Sequence, residues 1–183
     1  MSQSSTREKI LEAGKRVIYK KGFYRARVSD ITSCAGVAHG TFYLYFKTKE
    51  DFLLSLLKSV REEMLGLVEE GVNLIRAGKK REGAELVFVK SFELMVSEKE
   101  LAKIFFFEAI CSSDRFKKFY QESKALFLDR STYALSLMNV KEPELKAHVL
   151  MGTARHLVEE AILRKVEVRA LWQKVLKELG VFC

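Results

Sequence analysis

The most informative segment of the chain runs from residue 22 to residue 50 and reads GFYRARVSDITSCAGVAHGTFYLYFKTKE. Its apolar spacing predicts two short helices, over 28–35 and 39–45, and Gly36 between them can adopt the left-handed backbone of a tight turn. A small core would fix the angle between these helices, formed by Val28, Ile31, Ala35, Val37, Phe42 and Phe46. The first turn of the second helix would then face solvent.

An exposed helix start of this kind fits the major groove of DNA, and its free N–H groups favour phosphate. The charge distribution agrees with such a partner. Residues 1–50 contain 10 Lys and Arg against 4 Asp and Glu, a net charge of +6, whereas residues 51–183 contain 22 against 20, a net charge of +2. A basic segment on a near-neutral body is typical of a protein that binds a polyanion.

The segment resembles the DNA-binding domain of the TetR family of bacterial transcriptional regulators. The resemblance extends from Thr6 to Leu53, and the matching positions are Gly22-Phe23, Val28, Ile31, Ala35-Gly36-Val37, Gly40-Thr41-Phe42-Tyr43, Phe46 and Lys49-Glu50. It implies a repressor that binds a palindromic operator as a dimer and is released by a small effector. An alternative is a TetR-like DNA-binding protein without such an effector, associated with the nucleoid or with division.

The resemblance also assigns roles to individual residues. The implied DNA contacts are Arg27, Ser29, His39, Gly40, Thr41, Tyr43, Leu44, Tyr45 and Lys49. His39 would read a base edge at the start of the recognition helix, while Thr41 and Tyr43 would bind phosphates. Leu44 could offer only an apolar contact, for example to a thymine methyl group. Lys49 would clamp a phosphate at the start of the next helix.

Two departures from the family pattern concern the starts of helices. Ala26 and Arg27 replace the usual threonine pair before the second helix, and Ala38 replaces the usual serine or threonine before the recognition helix. Loss of such a cap typically costs about 1 kcal/mol. Arg27 would instead contact phosphate directly.

The remainder of the chain shows helical spacing and no strand pattern, so we predict an all-α fold with about nine helices. A long amphipathic helix would follow Thr48 and run over 49–75, and further helices would cover 82–97, 99–111, 114–138, 143–165 and 168–179. We predict an N-terminal three-helix, helix-turn-helix DNA-binding domain over 1–48. The resemblance implies a C-terminal helical domain for ligand binding and dimerisation over 49–183.

The second domain is rich in aromatic residues, which could line an apolar cavity or form an ordinary core. The first interpretation predicts a hydrophobic effector, such as a fatty acyl chain or an aromatic drug-like compound. The candidate effector-binding residues are Phe88, Phe92, Met95, Phe106, Phe107, Glu108, Phe119, Tyr120, Arg155 and His156, of which Glu108, Arg155 and His156 would be polar anchors.

The last two predicted helices carry apolar stripes that suit either the core or a two-fold interface with a second copy. The candidate interface residues are Val149, Gly152, Leu157, Ala161, Leu171, Trp172 and Val175. A homodimer paired in this way would place two recognition helices in successive major grooves, about 34 Å apart.

Other classes of protein find little support in the sequence. The histidines lack the spacing of a zinc protease or a di-metal bundle, and no nucleophile elbow is present, so we predict no enzyme, no cofactor and no metal site. No apolar run approaches the roughly 18 residues of a membrane span, and no signal peptide is visible, which predicts a cytoplasmic protein with reduced thiols. Abundant Lys and Glu with few Gln and Asn favour a thermophilic source. A carrier or lipid-surface protein is the other alternative.

Overall fold

The computed structural model describes residues 3–108 and 113–182, and the side chains of these residues except 3–5 and 108. Every regular element in these ranges is a helix, which confirms the all-α prediction. The chain divides into two compact units, Met1–Val60 and Arg61–Cys183. This division falls inside the long helix α4, Lys49–Arg76, whereas the predicted domain boundary lies at the start of that helix and stays a prediction.

The first unit contains helices α1 (Gln3–Lys21), α2 (Val28–Ala35) and α3 (His39–Tyr45), followed by the beginning of α4. Its fully buried side chains include Ile10, Ile18, Ile31, Phe42, Phe52 and Leu53. The rings of Phe42, Phe46 and Phe52 lie 5.1 to 5.5 Å apart, so three aromatic side chains hold α3 against α4. Gly14 allows α1 to lie close to Phe52 of α4, because a Cβ at Gly14 would lie 2.0 Å from Cζ of Phe52.

The turn between α2 and α3 has the predicted geometry. Gly36 has φ 67° and ψ 36°, in the left-handed region that glycine adopts without steric cost. Its N–H donates to the carbonyl of Ser33, and the N–H of Val37 donates to the carbonyl of Thr32 at 3.0 Å. These bonds satisfy the last carbonyl groups of α2 and end the helix.

The starts of α2 and α4 are capped by carboxylates from within the first turn. At α2, the main-chain N–H of Arg27 donates to Asp30 at 2.9 Å, which is one of the two bonds of a capping box. At α4, Asp51 accepts from the N–H of Thr48 at 3.1 Å, and its own N–H donates to Oγ1 of Thr48 at 3.0 Å. Thr48 is therefore the start signal that the sequence predicts.

The second unit is built from the rest of α4 and five further helices. Helix α5 covers 80–97 and consists of Lys80–Ala84, a π-helical stretch Glu85–Lys90, and Ser91–Ser97; α6 consists of Lys99–Lys103 and a π-helical stretch Ile104–Glu108. Helices α7 (Asp114–Leu137), α8 (Pro143–Leu163) and α9 (Arg169–Glu178) follow. Joining contiguous stretches gives nine helices among the described residues, as predicted. The end of the predicted helix 99–111 lies outside them.

The core of the second unit is organised around Trp172 on α9. Its indole ring stacks on Phe92 at 4.7 Å, and its Nε1–H donates to the main-chain carbonyl of Phe88 at 2.7 Å. Because Phe88 lies in the π-helical stretch of α5, this bond ties α9 to α5 at a fixed register. No helix of the described residues is long and apolar enough to cross a bilayer.

Helices α4 and α5 approach each other at two glycines. A Cβ on Gly83 would lie 2.4 Å from the carbonyl oxygen of Gly71, and a Cβ on Gly71 would lie 2.6 Å from the carbonyl oxygen of Gly83. Real Cβ atoms do not approach a backbone oxygen this closely. The pair therefore fixes the position of α5 on α4.

Candidate nucleic-acid interface

Helix α3 has one buried face and one exposed face. Phe42 is fully buried and Phe46, directly after the helix, is 2% exposed, so both belong to the core. On the opposite face Tyr43 is 50% exposed and Leu44 is 81% exposed. An apolar side chain that is this exposed contributes nothing to the core, so burial does not explain its presence on α3. The exposed face is suited to a partner.

The predicted DNA contacts fall into two groups by exposure. Arg27, Ser29, His39, Gly40, Tyr43 and Leu44 are exposed, and Thr41, Tyr45 and Lys49 are partly buried. The rings of His39 and Tyr43 meet edge to face at 5.6 Å, because residues four apart share one side of a helix. The contact joins two exposed side chains on one face of α3.

Lys49 contacts the turn between α1 and α2. Its Nζ lies 4.3 Å from the ring centroid of Phe23 and donates to the main-chain carbonyl of Tyr24 at 3.4 Å. Partial burial lowers the pKa of its ammonium group, because desolvation disfavours the charged form. The side chain thus joins this turn to the start of α4, and its contact with phosphate stays a prediction.

The charges around α2 are partly neutralised. Lys21 forms an ion pair with Asp30 at 2.8 Å, and Nε of Arg25 donates to the carbonyl of Lys21 at 3.0 Å. The hydrogen bond from Lys21 and the bond from the N–H of Arg27 lower the pKa of Asp30. The guanidinium of Arg27 is exposed, and so is Lys47 just after α3. Lys47 was not among the predicted contacts, although a lysine after a recognition helix is a recognisable signal.

Two known domain families match the chain. Residues 10–56 match the family described as bacterial regulatory proteins, tetR family, and residues 84–182 match the family described as tetracyclin repressor-like, C-terminal domain. The second match alone covers more than half of the chain. The chain belongs to the TetR family. It is therefore a DNA-binding transcriptional regulator and not an enzyme.

Individual relatives agree with this family. The fatty acid metabolism regulator protein of Bacillus subtilis is 39% identical over 93 residues, which cover 51% of this chain and about half, 47%, of that protein. The crystal structure of FadR from Bacillus subtilis in complex with stearoyl-CoA is 28% identical, with a TM-score of 0.73 over 96% of this chain and 99% of that one. A TerR/AcrR family regulator from Aquifex aeolicus is 25% identical, with a TM-score of 0.76 over 96% of this chain and 98% of that one.

The aromatic residues predicted to bind an effector divide into two groups in this TetR-family regulator. Phe88 and Phe92 pack in the core with Trp172, and Met95 lies partly buried against them. The second group lies around Phe105, which was not among the predicted residues. We call it the Phe105 cluster, and it consists of Phe105, Phe106, Phe107, Phe119 and Tyr120. The ring of Phe105 lies 5.1 Å from Phe106, 5.1 Å from Tyr120 and 6.0 Å from Phe119, while Phe106 and Phe107 are 6.3 Å apart.

The structure brings one predicted polar anchor to this cluster. Arg155 is exposed, its Cζ lies 6.0 Å from the ring centroids of Phe106 and Phe107, and its Nη1 donates to the hydroxyl of Tyr120 at 3.4 Å. His156 is also exposed, and the side chain of Glu108 lies outside the described residues. A second arginine, Arg61 on α4, was not predicted; its Cζ lies 4.6 Å from the ring of Phe119.

The predicted dimer residues differ in exposure, and their role in an interface stays a prediction. Leu157 and Trp172 are each 3% exposed and lie in the core of the protomer, where Trp172 bonds to α5, so they offer little surface to a second copy. Val149 is 42% exposed and Leu171 is 51% exposed. Gly152 is exposed, and Ala161 and Val175 are partly buried. These five remain candidates for the interface.

Proposed function

We propose that this TetR-family regulator is a ligand-responsive repressor that binds a palindromic operator as a homodimer. A small, largely hydrophobic effector would release it. The observation that carries the proposal is the exposed face of α3, where Leu44 is 81% exposed while Phe42 on the other face is fully buried. A rigid element that presents side chains to a groove loses little conformational entropy on binding.

The proposed contacts combine base reading with phosphate binding. His39 and Leu44 would meet base edges, since both are exposed on α3, and Leu44 would contact a thymine methyl group. Arg27, Thr41 and Tyr43 would bind phosphates. The excess of 10 basic over 4 acidic residues in residues 1–50 would supply the salt-dependent part of the affinity.

The proposed effector has a fatty acyl chain. Two relatives support this choice, the fatty acid metabolism regulator and the FadR structure that contains stearoyl-CoA. The Phe105 cluster supports it chemically, because its aromatic side chains offer apolar surface and are only partly buried where they belong to α6. To weaken the affinity for the operator a hundredfold, the ligand must favour the state that does not bind DNA by roughly 2.7 kcal/mol.

The proposed dimer interface uses the exposed side of α8 and α9. Val149 and Leu171 are apolar and exposed, Leu145 on α8 is 57% exposed, and Gly152 has open space around its Cα. A second copy related by a two-fold axis would cover this surface, because such an axis pairs identical patches.

Fluorescence anisotropy tests the operator proposal. Labelled DNA from the region flanking the gene is titrated with the full chain at two salt concentrations, beside scrambled DNA. We expect tight, salt-sensitive binding of two protomers to a palindromic site. The variant Leu44→Ala should weaken operator binding, whereas Val166→Ala, a valine that is 50% exposed in the loop between α8 and α9, should not. Equal affinity for both DNAs would contradict the proposal and favour a nucleoid-type protein.

Ligand release is measured on the same complex with acyl compounds of increasing chain length. We expect the anisotropy to fall as the ligand binds. Specific operator binding that none of these compounds reverses would favour the alternative of a regulator without a small-molecule effector.

A further inference from the structure

Arg61 occupies a position on α4 that is otherwise apolar. Leu54, Arg61, Val68 and Ile75 follow one another at intervals of seven in the sequence, and within the second unit Val68 and Ile75 are each 3% exposed. A seven-residue interval returns to the same side of a helix, so Arg61 lies in the stripe that faces the interior of its unit. A charged residue at such a position costs free energy unless its donors are satisfied.

The donors of Arg61 are incompletely satisfied. Nη1 reaches Oγ of Ser123 at 3.5 Å, the long limit of a hydrogen bond, and the hydroxyl of Ser123 already donates to the carbonyl of Phe119 at 2.7 Å. The guanidinium plane rests on the ring of Phe119, with Cζ 4.6 Å from the centroid. Among the described residues, none offers an acceptor to the buried Nε of Arg61.

Other arginines of the same unit show the usual solution. Nε of Arg130 likewise has no well-aligned hydrogen bond, but it lies 2.8 Å from a carboxylate oxygen of Glu69, which balances its charge. Arg76 donates through Nε and Nη2 to the hydroxyl of Tyr133. Arg61 has a cation–π contact and one long bond but no carboxylate from the described part of the chain. An anionic oxygen supplied from outside would satisfy it, because a guanidinium binds carboxylates and phosphates through paired N–H groups.

We infer that the effector carries an anionic group and that Arg61 binds this group. The inference rests on the proposed ligand-responsive function and adds the chemistry of the ligand. Phe119 contacts Arg61, Phe105 contacts Phe119 and Tyr120, and Tyr120 accepts from Arg155. The Phe105 cluster therefore joins two cations through apolar surface. This arrangement suits an amphipathic acid, with its charge at Arg61 and its apolar chain on the aromatic rings.

Three ligands with the same chain separate the possible sources of charge: decanoate, decanoyl-CoA and the neutral decan-1-ol. Each is titrated into the full chain by calorimetry and then into the operator complex. Wild type should bind decanoate or decanoyl-CoA about ten- to a hundredfold more tightly than decan-1-ol, the range expected for a charge-assisted bond. Loss of this preference in Arg61→Met, with decan-1-ol affinity unchanged, is the expected result. Arg130→Met is the matched control and should keep the preference.

The outcomes distinguish the inference from the function on which it rests. A loss confined to decanoyl-CoA would identify the anion as a phosphate, and a loss for decanoate would identify it as a carboxylate. Equal affinities of charged and neutral ligands for wild type, or an equal loss of both in Arg61→Met, would overturn the inference while the ligand-responsive function stands. If none of the three ligands binds the protein or releases the operator, the proposal of a fatty acyl effector and the inference about Arg61 are both wrong.

A second variant covers a failure of Arg61→Met to fold. Arg61→Lys keeps the charge but lacks Nε and the planar fork of donors. We expect its ratio of decanoate to decan-1-ol affinity to fall several-fold, and an unchanged ratio would overturn the role of Arg61.

Discussion

Gly71 and Gly83 make the closest contact between α4 and α5, and replacing either by alanine tests how tightly this contact is packed. In Gly71→Ala the new Cβ would lie 2.6 Å from the carbonyl oxygen of Gly83 and 2.7 Å from Cγ2 of Val87. In Gly83→Ala it would lie 2.4 Å from the carbonyl oxygen of Gly71. In both variants the obstacle includes backbone, which cannot turn away as a side chain can.

The expected magnitude is a balance of two effects. Alanine in a helix interior is favoured over glycine by about 1 kcal/mol. Forcing a methyl group into a packed contact costs about 1–3 kcal/mol, and the upper part of this range applies because the helices themselves must separate. The net loss of unfolding free energy should be about 2 kcal/mol for either variant. The melting temperature should then fall by roughly 4–8 °C for a chain of this size.

Gly66 on α4 provides the matched control. No atom lies within 4 Å of a Cβ at this position, so Gly66→Ala should gain about 1 kcal/mol from helix propensity alone. Urea unfolding followed by circular dichroism, at one fixed protein concentration, measures all three variants. Gly71→Ala and Gly66→Ala should shift stability in opposite directions. If both stabilise the protein equally, the helices are not in contact at Gly71.

Three further predictions concern single sites. Leu44→Ala should weaken operator binding by about 1–2 kcal/mol in anisotropy, because the apolar contact of the lost carbons is removed, while the melting temperature stays unchanged, because Leu44 is 81% exposed; a drop in melting temperature would contradict this. Asp30→Asn should lower the melting temperature at pH 7, and the difference from wild type should shrink as the pH falls below about 4, because the lowered pKa of Asp30 stabilises the fold only while the carboxylate is charged; a difference that is constant with pH would argue against the Lys21 pair. Gly152→Leu should leave the protomer folded, since open space surrounds Gly152, but should convert a dimer to a monomer in light scattering; an unchanged mass would remove α8 from the proposed interface.

The DNA-binding unit could be predicted from sequence because its signals are local. Gly36 has the left-handed backbone that the turn requires, and Phe42 and Phe46 are buried as their spacing indicates. Thr48 caps α4 as expected. For α2 the sequence predicts only the loss of a threonine cap. It does not predict the bond to Asp30, because this residue is at the third position of the helix and not at its start.

The second unit was less predictable because its decisive contacts join distant parts of the chain. Trp172 and Leu157 lie on amphipathic stripes that suit a core and an interface equally well, and only the contact with Phe88, 84 residues away, assigns Trp172 to the core. The mutual contact of Gly71 and Gly83 likewise has no local signal, since either glycine alone reads as a weak point in a helix. Arg61, by contrast, has a local signal in the sequence, because it lies in the seven-residue repeat with Leu54.

Helix α4 carries three residues with different proposed or structural roles. Lys49 at its start holds the turn before α2, Arg61 twelve residues later faces the Phe105 cluster, and Gly71 is locked against α5. Between Lys49 and Arg61 the helix contains neither proline nor glycine. A ligand at Arg61 can act on DNA binding only if it binds two positions of this helix with different affinity, and the incomplete hydrogen bonding of Arg61 leaves room for such a difference.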